Sequence, residues 1–310
     1  MKTTLLKPTL FAYLTLVFSF FVNFSNGQSS TANYTVTNNA TSSLVTMTGS
    51  EQLIGANQND ASSFVENIVF DFWFMGIRYN NFTASSNGAI RLGTSSISST
   101  AFGSSFPLVA ASGPIIAPFF GDLRTSATGK VHSIVSGTAP NRKCVIEFLN
   151  MGVNRGSSSA DATFQIILNE TSGIIQFIYG SMNVNGIFGT ATNRRVVIGF
   201  CSDNIINKTL SVNHTTFVAS TAAVATFVEY NSTGIISSLN SISNGSRREI
   251  IFTPPVRLAP STPLLSAPTT NSVSASWTDL VTNELGFVIY KSEDGGFNYD
   301  FALQTNPGIT

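Results

Sequence analysis

The chain is poor in charge, cysteine, histidine and long apolar runs. Of 310 residues, 16 are basic and 16 acidic, so only 10 % are charged, against roughly 25 % in an ordinary soluble domain. A balance of zero supplies no basic stripe and argues against a nucleic-acid partner. Two cysteines exclude a disulfide-dense scaffold. No apolar stretch with a sustained 3.6-residue period and caps occurs, which excludes a coiled coil and leaves little helix to expect. Ser, Thr, Asn and Gly fill the polar positions, so the low charge is not that of a membrane protein. Only one long apolar stretch exists, at the N-terminus.

Residues 1–27 have the layout of a secretory signal peptide. Lys2 and Lys7 precede the apolar stretch Leu10 to Val22, and Ser25-Asn26-Gly27 offers small residues for cleavage before Gln28. The stretch is shorter than the about 20 apolar residues a membrane span needs. An uncleaved anchor is the alternative. Export to the cell surface or medium is the expected localisation, with no transmembrane segment left after cleavage. Loss of Lys2 and Lys7 moves the balance from zero to minus two. An oxidising compartment would let Cys144 and Cys201 form a disulfide, with two separate buried thiols as the alternative. Cys144 shares a strand face with Ile146 and Phe148 and is expected to point inward.

Short β-strands dominate the rest. Phe70, Phe72 and Phe74 alternate with Asp71 and Trp73, a period of two. Asn87-Gly88 is a hairpin signal, followed by a strand from Ala89 to Leu92. The clearest hairpin joins Phe164, Ile166 and Leu168 to Ile175, Phe177 and Tyr179 through Asn169–Gly173. Further strands are expected at 143–148, 196–201, 224–230 and 249–252. The stretch from Ser29 to Thr48 is Ser/Thr/Asn-rich and reads as a loose arm. The fold class is therefore all-β, an antiparallel sandwich over residues 28–253. Pro254, Pro255, Pro260, Pro263 and Pro268 follow, and residues 254–263 read as a semi-rigid linker. Beyond it, strands are expected around Val273 to Trp277, Leu285 to Tyr290 and Phe297 to Leu303.

Two resemblances emerge from these segments. Pro263, Val273-Ser274-Ala275-Ser276-Trp277, Glu284-Leu285-Gly286-Phe287-Val288-Ile289-Tyr290-Lys291-Ser292 and Glu293-Asp294-Gly295-Gly296-Phe297 resemble the first half of a fibronectin type III domain. The resemblance implies a partial immunoglobulin-like sandwich over residues 264–310. Such a sandwich needs roughly 100 residues, so the chain reads as a fragment of a longer product whose downstream domains complete it. The larger domain resembles the N-terminal β-domain of Bacteroidota secreted and cell-surface proteins, and is distantly similar to nidogen-type extracellular modules. The carrying segments are Phe72 to Phe82 with Ser85-Ser86-Asn87-Gly88, Pro114 to Leu123, and Phe164 to Gly180. No catalytic residues accompany these motifs. Phe119-Phe120-Gly121 departs from the pattern, which more often carries a Trp and an acidic residue there. The resemblance also implies further fibronectin-like repeats and a C-terminal secretion signal.

Chemistry-bearing residues are few. His132 and His214 are the only histidines. With the two cysteines they match no zinc spacing, so solvated or strand-end histidines are expected and no metal or cofactor. No G-x-S-x-G elbow occurs. Asp122, Glu147, Asp161 and Glu170 are candidate acids, but nothing pairs them for glycoside hydrolysis. Ser292 to Gly296 with Tyr299 is similar to an Asp-box turn, and a hairpin within the fibronectin-like piece accounts for it. Eight N-x-[ST] sequons follow residue 27, at Asn33, Asn39, Asn81, Asn169, Asn207, Asn213, Asn231 and Asn244. They are glycan acceptors in a eukaryotic secreted chain, and products of composition in the bacterial chain the resemblance implies. Arg194-Arg195 and Arg247-Arg248 read as strand-end charge.

The expected function is a non-enzymatic exported module, secreted or on the cell surface, for cell adhesion, display or spacing, with a glycan or protein as extracellular ligand. The alternative is an accessory region of a larger secreted hydrolase whose catalytic domain lies beyond residue 310.

Overall fold

The computed structural model describes residues 23–24, 31–98, 113–153, 156–184, 194–202, 209–222, 228–230, 234–235, 238–240, 245–255, 261–266, 269, 272–280, 287–293 and 300–306. The strands, in chain order, begin with β1 (Asn23–Phe24), β2 (Thr35–Ser42), β3 (Glu51–Ile54), β4 (Glu66–Phe74), β5 (Ile77–Ser85) and β6 (Ala89–Leu92). They continue with β7 (Ile115–Phe120), β8 (Arg124–Ser136), β9 (Lys143–Gly152), β10 (Ala162–Asn169) and β11 (Ile175–Val184). Next come β12 (Arg194–Cys201), β13 (Thr209–Val212), β14 (Ala219–Ala222), β15 (Val228–Tyr230), β16 (Gly234–Ile235) and β17 (Arg247–Thr253). The last are β18 (Leu264–Ser266), β19 (Ser274–Ser276), β20 (Phe287–Lys291) and β21 (Asp300–Gln304). One 3₁₀ turn, Thr31–Asn33, is the only helical element among the described residues. No helix there is long and apolar enough to cross a membrane.

The chain divides into two compact units, one of residues 26–256 and one that includes residues 257–310. In the larger unit two antiparallel sheets face each other. The first runs β2-β17-β11-β10-β9-β8-β3, with β16 beside β11, and the second runs β14-β13-β12-β7-β6-β5-β4, with β15 beside β12. This is the all-β sandwich that the period-two pattern predicts. Alternation decides the layering, because residues two apart on a strand share a face. Cys144, Ile146 and Phe148 of β9, Phe164, Ile166 and Leu168 of β10, and Phe177 and Tyr179 of β11 turn into one core with Phe72, Phe74, Phe82, Ile116 and Phe200 of the second sheet. The β10–β11 hairpin pairs Phe164 with Tyr179 and Leu168 with Ile175. Asn87-Gly88 turns β5 into β6, with Ser85 opposite Ala89.

One inter-sheet bond follows from a proline. Pro118 lies in β7, where the register with β12 shifts between Val197 and Gly199. Proline brings no N–H to a ladder and is confined to edges and irregularities. The Pro118 carbonyl accepts a 2.8 Å bond from the Tyr179 hydroxyl of the opposite sheet. That bond satisfies both polar groups in a core where Tyr179 is fully buried.

Two features were not legible. β8, 13 residues long, is Ser/Thr-rich and lacks an apolar alternation. The stretch read as a loose arm holds β2, the edge strand beside β17. Residues 224–227, 285–286 and 297–299 of expected strands, and Asp294 to Tyr299 of the Asp-box-like turn, lie outside the described residues.

In the smaller unit β18 pairs β19, and β20 pairs β21 and β1. Trp277 and Phe287 meet edge to face with ring centroids 5.3 Å apart. Leu264, Leu265, Leu280 and Leu303 of this unit are exposed.

Candidate functional site

Two of the titratable residues singled out from sequence, His132 and Glu147, meet on the outer face of the first sheet. Antiparallel register places Gln52 opposite His132, His132 opposite Glu147 and Glu147 opposite Gln165. Gln165 then faces Ile178, Ile178 faces Glu249, and Glu249 faces Asn39. One row of side chains therefore crosses all seven strands. Directly opposite residues interact most strongly in a sheet, and polar ones satisfy each other along this row.

The row carries two networks. In the first, His132 Nε2 lies 2.6 Å from Glu147 Oε2, and Gln165 Nε2 donates to Glu147 Oε1 at 2.8 Å. Ser50 Oγ lies 2.7 Å from His132 Nδ1. In the second, Asn39 Nδ2 donates to Glu249 Oε2 at 2.6 Å and Gln176 Nε2 to Glu249 Oε1 at 2.5 Å. Asn169 Nδ2 donates to Gln176 Oε1 at 2.9 Å. His132, Glu147 and Glu249 are all buried. A buried carboxylate is tolerated because each oxygen has a donor.

The cover over this face is residues 43–50, which connect β2 at one sheet edge to β3 at the other. Leu44 lies over Gly180 of β11. Val45 exchanges two bonds with the Gln165 side chain, N–H to Oε1 at 2.9 Å and carbonyl from Nε2 at 2.8 Å. Leu44, Val45 and Met47 pack on Val145, Ile167 and Ile178. Ser50 ends the crossing at His132. Six strand spacings of about 4.8 Å put the edges about 29 Å apart. Nine Cα steps from Ser42 to Glu51 reach roughly 31 Å at full extension. Part of that reach is taken up by the turn closed by the Ser50 N–H to the Met47 carbonyl, so the strap has little slack.

The remaining sequence candidates have local roles. His214 is buried, not solvated, with Nδ1 2.8 Å from Ser238 Oγ. Burial lowers its pKa. His132 is likewise buried. His132 corrects the expectation of a solvated or strand-end ring, because it lies within β8 under the covering segment, whereas His214 follows β13 as a strand-end residue but is buried. Asp161, fully buried, accepts from Ser157 Oγ at 3.0 Å and braces its own loop. Glu170 takes Arg142 at 2.9 and 2.5 Å. Arg142 also donates to the Val69 carbonyl at 2.9 Å, which ties the two sheets at one corner. Asp122 follows β7 beside a buried turn where Asn87 donates to Asp60 at 3.1 Å and accepts from the Leu123 N–H at 3.2 Å. The segments around Asn87 and Leu123 thus meet to build structure.

The two cysteines are not joined. Cys144 is in the core between the sheets, and Cys201 is in a separate cluster with Ala89, Ile97, Ile115 and Phe120. Cys201 donates to the Gly113 carbonyl at 3.6 Å. They sit on strands of different sheets and in different apolar layers, so the disulfide raised from sequence is not formed. Among the described residues no group of three or more His, Cys, Asp or Glu is placed to hold a metal ion.

Sequence reasoning missed the Ser50–His132–Glu147–Gln165 network. Its members are distant in sequence and only register brings them together, so no local motif announces it. No curated protein and no solved structure matches the chain. A family model described as NIDO related matches residues 33–254, most of the chain, and the chain belongs to that family.

Proposed function

We propose that the chain is a non-enzymatic extracellular module that displays a binding surface, in an adhesive role. The family is of an extracellular, non-catalytic type, in line with the export signal read from residues 1–27. The single observation that carries display over spacing is the register of β2 and β17. Thr35, the first residue of β2, lies opposite Thr253, the last of β17. Both ends of the unit's chain therefore lie at one end, about one strand spacing apart. With cleavage before Gln28 the unit is held through the Thr253 side alone, as a head whose opposite end stays free.

The end away from Thr35 and Thr253 is the surface such a head presents. There Asn57 N–H bonds the Ser126 carbonyl and Asn59 bridges Arg124, with Asn57, Gln58 and Asn59 exposed. Amide and hydroxyl side chains of near-neutral charge suit a neutral glycan or a polar protein surface. Following the resemblance, we assign residues 254–263 as linker and 264–310 as the start of a fibronectin type III unit in a Bacteroidota-type surface protein.

The test immobilises the exported full chain and screens glycan and matrix-protein arrays. Asn57→Ala with Asn59→Ala is expected to abolish the binding found. Thr171→Ala with Ser172→Ala, at the attachment end, leaves it intact. The reverse pattern rejects display. N-terminal sequencing of the same preparation is expected to begin at Gln28.

A further inference from the structure

The Ser50–His132–Glu147 chain of hydrogen bonds does more than pin the strap. Glu147 is buried and its second oxygen is already held by Gln165 at 2.8 Å. A carboxylate only accepts, so the proton of the 2.6 Å contact resides on His132 Nε2. That tautomer leaves the Nδ1 lone pair facing Ser50 Oγ at 2.7 Å, positioned to take the hydroxyl proton. These are the roles of a base and its orienting acid in a serine triad, with the two ring nitrogens exchanged.

Three further features bear on reactivity. His132 is 3 % exposed, so its ring is fixed by packing. Ser50 is partly exposed on a turn closed by its own N–H to the Met47 carbonyl at 3.2 Å. At Gly49, the preceding residue, nothing lies within 4 Å of the Cβ position, so the turn that carries Ser50 is open on that side. The second hydroxyl–histidine pair is an internal control. Ser238 Oγ lies 2.8 Å from His214 Nδ1, but His214 Nε2 has no hydrogen-bond partner among the described residues. Among them no carboxylate bonds that ring.

We infer that Ser50 is an activated hydroxyl, an acceptor site for acyl groups delivered by activated esters. Ser50 Oγ attacks the ester carbonyl carbon and its proton passes to His132 Nδ1. The tetrahedral intermediate collapses, the bond to the leaving oxygen breaks, and that oxygen takes the proton from Nδ1. The product is one ester on Ser50 and one released alcohol. A single acceptance requires no turnover and leaves the non-catalytic reading of the module untouched.

The test exposes the full chain to p-nitrophenyl acetate and, separately, to an alkyl fluorophosphonate, then maps adducts by peptide mass spectrometry. The expected result is an adduct on Ser50 and none on Ser238, absent in Ser50→Ala. Glu147→Gln keeps the shape and the Gln165 contact but removes the charge. It is expected to slow labelling by about tenfold or more, at the low end of what general-base assistance supplies. No adduct on Ser50, or an unchanged rate in Glu147→Gln, overturns the inference. Should Glu147→Gln fail to fold, Ser50→Cys decides. Its alkylation by iodoacetamide near neutral pH is expected to be faster in the folded chain than in urea, and an equal or slower rate overturns the inference.

Discussion

Single residues in this sandwich differ most where backbone meets backbone. Gly199 sits in β12 at φ +145, and a Cβ there would lie 1.9 Å from the Leu210 carbonyl oxygen of β13. Gly49 also has a positive φ, +79, but nothing lies within 4 Å. Gly199→Ala must therefore break strand pairing, whereas Gly49→Ala meets only conformational strain. Equilibrium unfolding is expected to show a loss above about 4 kcal/mol for the first and about 1 kcal/mol for the second.

Charge at the same scale gives a pH dependence. Burial raises the Glu170 pKa, but the hydrogen bonds and charge of Arg142 outweigh it and hold the carboxyl below its ordinary value. A depressed folded-state pKa contributes stability above the unfolded value, and that contribution disappears as pH falls through the folded value. Glu170→Gln is expected to cost on the order of 1 kcal/mol at neutral pH, a partly exposed pair discounted for solvent. The difference from the parent should close as pH falls through the depressed folded value, below the ordinary carboxylate range, and denaturation curves across acidic pH measure it. The thiols supply a third expectation. Burial pushes Cys144 up to about 12, so its thiolate is scarce. Ellman's reagent should find almost no reactive thiol in the folded chain and both thiols in denaturant. Finding neither thiol after denaturation would reveal a disulfide between Cys144 and Cys201.

At the scale of elements, what was legible depended on alternation. Phe164 to Leu168 and Ile175 to Tyr179 repeat every second residue and form β10 and β11 as expected. β8 shows no such pattern, because Thr125 and His132 are buried polar residues served by Gly55 and Ser50, far away in sequence. The same cause hid the site. Ser50 and His132 are 82 residues apart, and nothing local to either announces the other. Most of the strap fell within the Ser29–Thr48 stretch read as a loose arm, because its anchors, Gln165 and His132, belong to the sheet beneath. Its short reach makes a sharp prediction. Ordinary surface loops tolerate insertions, since doubling a loop costs only about 0.6 kcal/mol. Deleting Thr48 from a strap with little slack must pull either Val45 off Gln165 or Ser50 off His132, or detach an edge strand. Chemical denaturation is expected to show a loss of about 3 kcal/mol or more for the deletion, and about 1 kcal/mol for two glycines inserted after Thr48. Equal costs would mean the crossing is slack.

For the molecule as a whole, the co-location of Thr35 and Thr253 is the feature with most consequence. Register partners in an antiparallel pair lie about 5 Å apart, so a short Gly/Ser bridge can join them without distorting β2 or β17. The inter-sheet core draws on strands from both halves of the sequence, with Phe200 packed on Phe252 at 5.3 Å and Phe119 on Phe164 at 5.9 Å. That core does not depend on where the backbone is open. A circular permutant of residues 31–255 that is bridged at this end and opened between the exposed Thr171 and Ser172 is therefore expected to fold. Its new termini lie in the β10–β11 turn, where opening costs local bonds such as Gly173 N–H to the Asn169 carbonyl at 3.1 Å. The permutant should keep a cooperative unfolding transition, lowered by about 1–3 kcal/mol. A second permutant bridged at the same place but opened within the strap, between Thr46 and Met47, supplies the contrast. It separates the Val45 anchor from the Ser50 anchor and frees both edge strands, so it should lose considerably more stability. If the two permutants are equally stable, the strap contributes nothing to holding the sheet edges. If the first does not fold, the paired ends are not close enough to bridge, and the display geometry drawn from them fails with it.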